Sequence, residues 1–138
     1  GVDLSKPLSE SNFDEINRCL HEHLVIIFWD QVLSTRQQRY FAALFFDLES
    51  HPFIESVSGY PEIIATVKES NEYKNWGGPW HADVTFTEAP SIGAVLYACE
   101  VPPCGGDTLF ANMYLAYEAL SDGLKYALQS LRAVHYSG

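Results

Sequence analysis

The chain has 138 residues, a length typical of one domain with a sizeable core. Hydrophobic residues make up 47% of the sequence, which predicts a folded protein. The formal net charge of −10 repels nucleic acid and anionic lipid, and no apolar run approaches the roughly 18 residues that a membrane span needs. We therefore expect neither a nucleic-acid partner nor a membrane partner.

Four segments have the apolar spacing and the capping residues of helices. The first, residues 9–24, follows Ser and Asn cap candidates, and the second begins at Ser34 or Thr35. Asn112 is predicted to cap a third helix and Ser121 a fourth.

Six segments are predicted to be β-strands because β-branched and aromatic residues are frequent in them. They are residues 24–29, 62–68, 81–86, 92–101, 108–112 and 133–138. The Pro- and Gly-rich stretch "PPCGGD" is a strong turn signal between the fourth and fifth of them. Strands joined by tight turns, with helices on one side, predict an α+β protein with a mostly antiparallel sheet, in a single domain over residues 1–138.

The three cysteines, Cys19, Cys99 and Cys104, are odd in number and form no CxxC pair. Such usage favours reduced thiols over a disulfide scaffold. The first residues also lack the basic, apolar and cleavage regions of a secretory signal. Together these features predict a cytoplasmic protein.

The stretch "WHADVTF", residues 80–86, carries a histidine and an aspartate two positions apart. In a strand, residues i and i+2 point to the same face, so His81 and Asp83 are predicted to converge on one metal ion. An imidazole and a carboxylate are two of the three ligands in the 2-His-1-carboxylate triad, which holds Fe(II) and leaves positions open. Taken alone, the pair is a weak signal, and a polar surface strand is the favoured interpretation.

A wider set of residues resembles the taurine dioxygenase/TfdA-like family of Fe(II)- and 2-oxoglutarate-dependent oxygenases. The similar stretches, in the family's order and spacing, are "GVDLSKPLS", "HLVIIFWDQVLS", "HPF", "WHADVTF", "GGDTLFANMYLAYEALS" and "LRAVHY". The resemblance implies a double-stranded β-helix, a cupin-like jelly roll, with N-terminal and flanking helices.

The resemblance also implies roles for five residues. His81 and Asp83 would be metal ligands for Fe(II), and Thr108 in "GGDT" would hydrogen-bond 2-oxoglutarate, the co-substrate. His51 in "HPF" and Val84 would contact the substrate. The last three have ordinary structural alternatives: a strand residue after a turn for Thr108, a loop residue for His51 and core packing for Val84.

Two positions depart from the taurine-type members of the family. Ile54 stands where they have a tyrosine, and Gly77 stands where they have an asparagine four residues before His81. Both differences remove hydrogen-bond partners for a small polar substrate. We therefore expect a bulkier or less polar acid than taurine.

The other histidines are not recruited as ligands. His21 and His23 flank Glu22 near a helix end, where two histidines could chelate a metal, but a solvated helix terminus is the favoured interpretation. His135 lies in "LRAVHY", where the family often has a histidine that is not a ligand.

The family's distal iron histidine and its 2-oxoglutarate-binding arginine lie well downstream of "GGDT", beyond the last residue of this sequence. We therefore expect the N-terminal half of the fold, truncated and inactive or nearly so. A half barrel exposes sheet edges and apolar surface, which predicts a homo-oligomer or aggregation.

The sequence thus predicts a dioxygenase of this family that uses O2 and 2-oxoglutarate to hydroxylate a small organic acid: a sulfonate, a sulfate ester or a carboxylate. The alternative is a non-catalytic remnant of the fold that dimerises or binds a ligand. A third interpretation, a simple carbohydrate- or metal-binding jelly roll, predicts no dependence on 2-oxoglutarate.

Overall fold

The structure, a computed structural model, describes residues 1–69, 71–73 and 77–136. Its helices are α1 (Glu10–His23), α2 (Thr35–Ala42), α3 (Met113–Glu118) and α4 (Asp122–Leu128). All four lie where the sequence predicted helices, although α2 is shorter than its apolar pattern, which continues to Leu48. None of the helices in the described ranges is long and apolar enough to cross a lipid bilayer.

Each helix begins at a polar side chain that accepts a hydrogen bond from the backbone N–H three residues further on. These caps are Ser9, Ser34, Asn112 and Ser121. At α2 the bond is reciprocated, since Gln37 Oε1 accepts from the Ser34 backbone N–H at 2.8 Å. This capping box satisfies two backbone donors that a helix start otherwise leaves without a partner.

The core lies between the first residues of the chain, α1 and α2. Leu4, Ile16 and Phe41 are its buried members. Phe41 packs edge-on against Phe28 at 5.6 Å and against Phe45 at 5.4 Å, an arrangement that aromatic rings favour. The half-buried side chains around this core are Val2, Leu8, Ile26, Phe28, Leu33, Leu44 and Phe45.

The amide of Gln31 joins the start of the chain to the segment that follows α1. Its Oε1 accepts from the Leu4 N–H at 2.9 Å, and its Nε2 donates to the Val2 carbonyl at 3.1 Å and to the Trp29 carbonyl at 2.8 Å. One side chain therefore supplies bonds that a neighbouring strand would otherwise supply.

The segment after the candidate metal pair returns to this N-terminal unit. Tyr97 Oη accepts from the Leu33 N–H at 3.1 Å and donates to the Gln31 carbonyl at 3.4 Å. Gln38 Nε2, on α2, donates to the Val95 carbonyl at 3.2 Å. These bonds attach residues 95–97 to α2 and to the segment that precedes it.

The predicted strands do not form in the described residues, where the one β-type pairing is an isolated antiparallel bridge between Val57 and Tyr60. A β-branched run becomes a strand only when a neighbouring segment supplies N–H and C=O partners, and side-chain propensity cannot provide them. The sheet and the double-stranded β-helix are therefore not confirmed here. The last two residues of the sixth predicted strand, Ser137 and Gly138, lie outside the described residues.

Residues 24–29 nevertheless keep the alternation of a strand. Ile26 and Phe28 pack against the core, while Ile27 and Trp29 are exposed. The sequence predicted a strand here from composition alone; the structure leaves Ile27 and Trp29 exposed and gives the backbone no ladder partner.

The second half of the chain has no core of its own. Among the described residues from position 92 to position 136, none is buried. Its large exposed apolar side chains are Ile92, Val95, Leu96, Val101, Leu109, Phe110, Met113, Tyr114, Leu115, Tyr117, Leu124, Tyr126, Leu128, Leu131, Val134 and Tyr136. Exposed apolar surface of this extent favours association with a partner surface, and the expected homo-oligomer stays a prediction.

Candidate metal centre

The segment that carries the histidine and aspartate is a turn, not the strand that the sequence predicted. The Thr87 N–H donates to the Val84 carbonyl at 3.2 Å, and Thr87 Oγ1 donates to the same oxygen at 3.0 Å. Val84 has a φ of 53°, in the left-handed region that β-branched residues rarely adopt. The period-two argument for this segment was therefore wrong.

His81 and Asp83 converge all the same. The Nε2 atom of His81 lies 3.2 Å from Oδ1 of Asp83. The side chains are 51% and 64% exposed, so a cation can reach the pair directly from solvent. Within the described ranges, no group of three or more His, Cys, Asp and Glu side chains is placed to hold a metal ion.

The distance between these two atoms suits a shared metal ion. A first-row divalent cation such as zinc binds imidazole nitrogen and carboxylate oxygen at roughly 2.1 Å each, so two ligands at a right angle lie about 3 Å apart. Neighbouring ligands of a facial triad meet in this way. The 3.2 Å separation is close to that value, and the donor set therefore fits Fe(II).

The orientation of the imidazole also favours metal binding through Nε2. His81 Nδ1 lies 2.8 Å from the carbonyl oxygen of Pro79. A carbonyl can only accept, so Nδ1 carries the hydrogen and Nε2 faces the carboxylate. Nε2 is therefore the ring nitrogen that Asp83 and a metal ion can reach. Backbone support of this kind commonly orients the histidine ligands of metals.

Gly77 makes room for this imidazole. Its φ is 65°, and a Cβ atom at this position would lie 3.1 Å from Cε1 of His81 and 3.7 Å from Nε2. From the sequence, Gly77 was interpreted as the loss of an asparagine that would contact substrate. The structure adds a packing reason, because a larger residue would press on His81 in this conformation.

Aromatic contacts connect "HPF" with the turn. The rings of Phe53 and Phe86 stack with centroids 5.8 Å apart, and the His51 ring meets Phe53 edge-on at 6.3 Å. His51 Nδ1 also accepts from the Phe53 N–H at 3.2 Å. His51 is thereby linked to Phe86, three residues after Asp83. Sequence reasoning missed Phe53 and Phe86, whose only signal was their aromatic character inside the two motifs.

A second histidine reaches the same turn. His135 Nδ1 lies 2.9 Å from Oγ1 of Thr85, across 50 positions of sequence. Neither residue was assigned a role from the sequence, since a contact over such a distance leaves no local pattern.

The remaining predicted site residues are placed differently. Val84 is half-buried within the turn beside Asp83. Thr108 is exposed in the segment before α3, and in the described part of the chain no recorded hydrogen bond joins it to His81 or Asp83. Its role, like those of His51 and Val84, stays a prediction.

All of the chain, residues 1–138, matches the profile of the family described as "Taurine catabolism dioxygenase TauD, TfdA family". The chain belongs to this family.

Several curated proteins are similar to the chain over almost its whole length. An alkylsulfatase of Acinetobacter baylyi is 35% identical over 98% of the chain, and an alpha-ketoglutarate-dependent sulfate ester dioxygenase of Pseudomonas putida is 34% identical over 98%. An alpha-ketoglutarate-dependent 2,4-dichlorophenoxyacetate dioxygenase of Cupriavidus pinatubonensis is 35% identical over 99%. The chain spans 42%, 44% and 53% of the lengths of these three relatives.

Proposed function

We propose that this chain supplies the first two iron ligands of an Fe(II)- and 2-oxoglutarate-dependent dioxygenase that hydroxylates a small organic acid. The observation that carries the proposal is the 3.2 Å separation of His81 Nε2 and Asp83 Oδ1 in a chain that belongs to this family throughout. Bound Fe(II) and 2-oxoglutarate supply the oxidising chemistry, in which O2 is consumed and 2-oxoglutarate becomes succinate and carbon dioxide.

The chain's own groups hold and orient the metal. Nε2 of His81 and an oxygen of Asp83 would hold the iron, and the Pro79 carbonyl fixes the imidazole through Nδ1. Both side chains are exposed, so co-substrate and O2 could reach a metal ion held there. Thr108 would donate its hydroxyl to a carboxylate oxygen of 2-oxoglutarate.

We propose that the six segments predicted as strands form the strands of a jelly roll. Two facts support this proposal: the family assignment, and a chain length of about half that of the curated relatives it matches. In a protein of the relatives' length, further strands would pair with these segments and cover their apolar side chains. The third iron ligand and an arginine for the dianionic 2-oxoglutarate would come from the same additional length.

The substrate is proposed to be an acid with an apolar body. Three curated relatives are named for sulfate esters, alkyl sulfates or 2,4-dichlorophenoxyacetate. Here His51 would take the acid group, and Ile54, half-buried three residues before the bridge between Val57 and Tyr60, offers no hydroxyl to a polar body. Val84, beside Asp83, would contact the substrate near the metal. A cytoplasmic location and a homo-oligomer complete this proposal.

The second candidate function is a non-catalytic remnant that dimerises or binds a ligand. It is favoured by the two-ligand site, since no three metal-binding side chains come together in the described part of the chain. It is also favoured by the apolar surface of residues 92–136. This candidate predicts self-association without an iron-dependent spectrum.

Anaerobic titration with Fe(II) and 2-oxoglutarate distinguishes the two candidates. The dioxygenase predicts a visible charge-transfer band that disappears in His81→Ala and Asp83→Asn. His21→Ala is the matched control, because His21 Nδ1 also lies 2.8 Å from a backbone carbonyl, that of Asn17, but His21 is on the exposed face of α1. The band should persist in the control.

A chain that forms no band at saturating Fe(II) and 2-oxoglutarate, alone or as a dimer, has no assembled oxygenase centre. That result would favour the remnant. A band that survives in His81→Ala would refute the assignment of His81 as a ligand.

A further inference from the structure

We propose that His135 is a positioning residue: its bond to Thr85 holds in place the turn that carries His81 and Asp83. The carrying observation is the 2.9 Å separation of His135 Nδ1 and Thr85 Oγ1. The effect of His135 on metal binding rests on the proposed function. Its effect on the position of the turn does not.

The turn needs support from outside itself. Val84, with its φ of 53°, has a backbone conformation that a β-branched residue adopts only when its surroundings impose it. The two bonds from Thr87 to the Val84 carbonyl lie within the turn, so they fix its shape. They cannot fix its position relative to the rest of the molecule.

The bond from His135 supplies a contact from another segment of the chain. Thr85 is half-buried and lies two residues after Asp83, so a displacement of its hydroxyl moves the carboxylate with it. His135 follows α4 and is 50 positions away along the chain. It therefore holds the turn from a different part of the molecule. The Phe53–Phe86 stack holds the far end of the same turn.

Side-chain replacements separate this hydrogen bond from simple packing. Thr85→Val keeps the shape of the side chain but removes the hydroxyl, and His135→Leu removes the ring nitrogen. Thr85→Ser keeps the hydroxyl, and His135→Asn places a polar amide group near the position of Nδ1. The first two variants break the bond and the second two conserve it.

Amide hydrogen exchange of the metal-free chain is the first measurement. Thr85→Val and His135→Leu should both accelerate exchange of the Thr87 amide, while the amides of α1 should exchange as in the unmodified chain. Thr85→Ser and His135→Asn should restore slow exchange. If the bond-breaking variants leave Thr87 exchange unchanged, the inference is overturned.

Cobalt(II) affinity, followed by visible absorption, is the second measurement. Each bond-breaking variant should bind Co(II) roughly tenfold more weakly, as is usual when a group that orients a metal ligand is lost. The double variant Thr85→Val/His135→Leu should be no weaker than either single variant, because both remove the same bond. Additive losses would show that the two residues act separately and would overturn the inference.

The two measurements also separate this inference from the proposed function. If the unmodified chain binds Co(II) no better than His81→Ala, the proposed metal centre fails. In that case the exchange of Thr87 still decides whether His135 holds the turn.

Discussion

Gly77 controls how the imidazole of His81 can lie, because it presents only a hydrogen atom to the ring. Gly77→Ala should weaken Co(II) binding, since the added methyl carbon would lie 3.1 Å from Cε1 of His81 and push the ring from Asp83. The measurement is a Co(II) titration followed by visible absorption. Because Gly77 also has a positive φ, the substitution should cost about 1 kcal/mol of stability as well.

Gly59→Ala separates the two effects of this substitution. Gly59 has a φ of 81° and nothing within 4 Å of the position of an added Cβ atom. The Gly59→Ala variant should therefore lose a similar amount of unfolding free energy, and its affinity for Co(II) should be that of the unmodified chain. Equal losses of affinity in the two variants would contradict a role for the contact between Gly77 and His81.

The residues of the candidate site fall into two groups, according to whether their contacts are local or distant in the sequence. His81 and Asp83 could be predicted because their spacing is local and their chemistry is specific. Their convergence was predicted from strand geometry, yet a turn brings it about. The contacts of His135 with Thr85 and of Phe53 with Phe86 could not be predicted, because the sequence carries no record of which distant segments meet.

Helix starts were predictable because each depends on a cap and on residues within one turn of it. Ser34→Ala should lower the free energy of unfolding by about 1 kcal/mol, since it removes the acceptor of the α2 capping box next to buried Phe41. Urea unfolding followed by circular dichroism measures the change.

Ser121→Ala is the control for this cap. Ser121 also accepts from a backbone N–H, that of Leu124 at 3.3 Å, but α4 has no buried residue. Its loss should leave the unfolding midpoint unchanged. If both variants shift the midpoint equally, α4 is part of the cooperative unit and the division between the two halves is wrong.

The strand predictions failed because a strand forms only when a second segment supplies hydrogen-bond partners for its backbone. Residues 24–29 have the right alternation, and they bury Ile26 and Phe28 as a strand would. On the backbone, the Trp29 carbonyl accepts from Gln31 Nε2, a side chain and not a neighbouring strand. The all-apolar composition of this run could predict neither which of its side chains are buried nor which partner its backbone would find.

The whole molecule consists of a packed N-terminal half and an open second half. Amide hydrogen exchange should therefore be slowest in α1 and α2, which surround Leu4, Ile16 and Phe41, and faster in α3 and α4, which have no buried residue. Mass spectrometry of peptic fragments gives the comparison.

The same measurement at two protein concentrations tests self-association. If copies of the chain cover one another's apolar side chains, exchange in residues 92–136 should slow as the concentration rises, while α1 and α2 stay unchanged. Protection that does not depend on concentration in either half would contradict the expected homo-oligomer.

The position of the core has a consequence for synthesis. Its three buried residues all lie within the first 41 positions, and its helices make local contacts that form quickly. A nascent chain can therefore complete this unit while the ribosome is still translating the turn of His81 and Asp83. Tyr97 then secures the later segment to Leu33 and Gln31. Metal capture would accordingly be a late event in maturation, on a surface that has already formed.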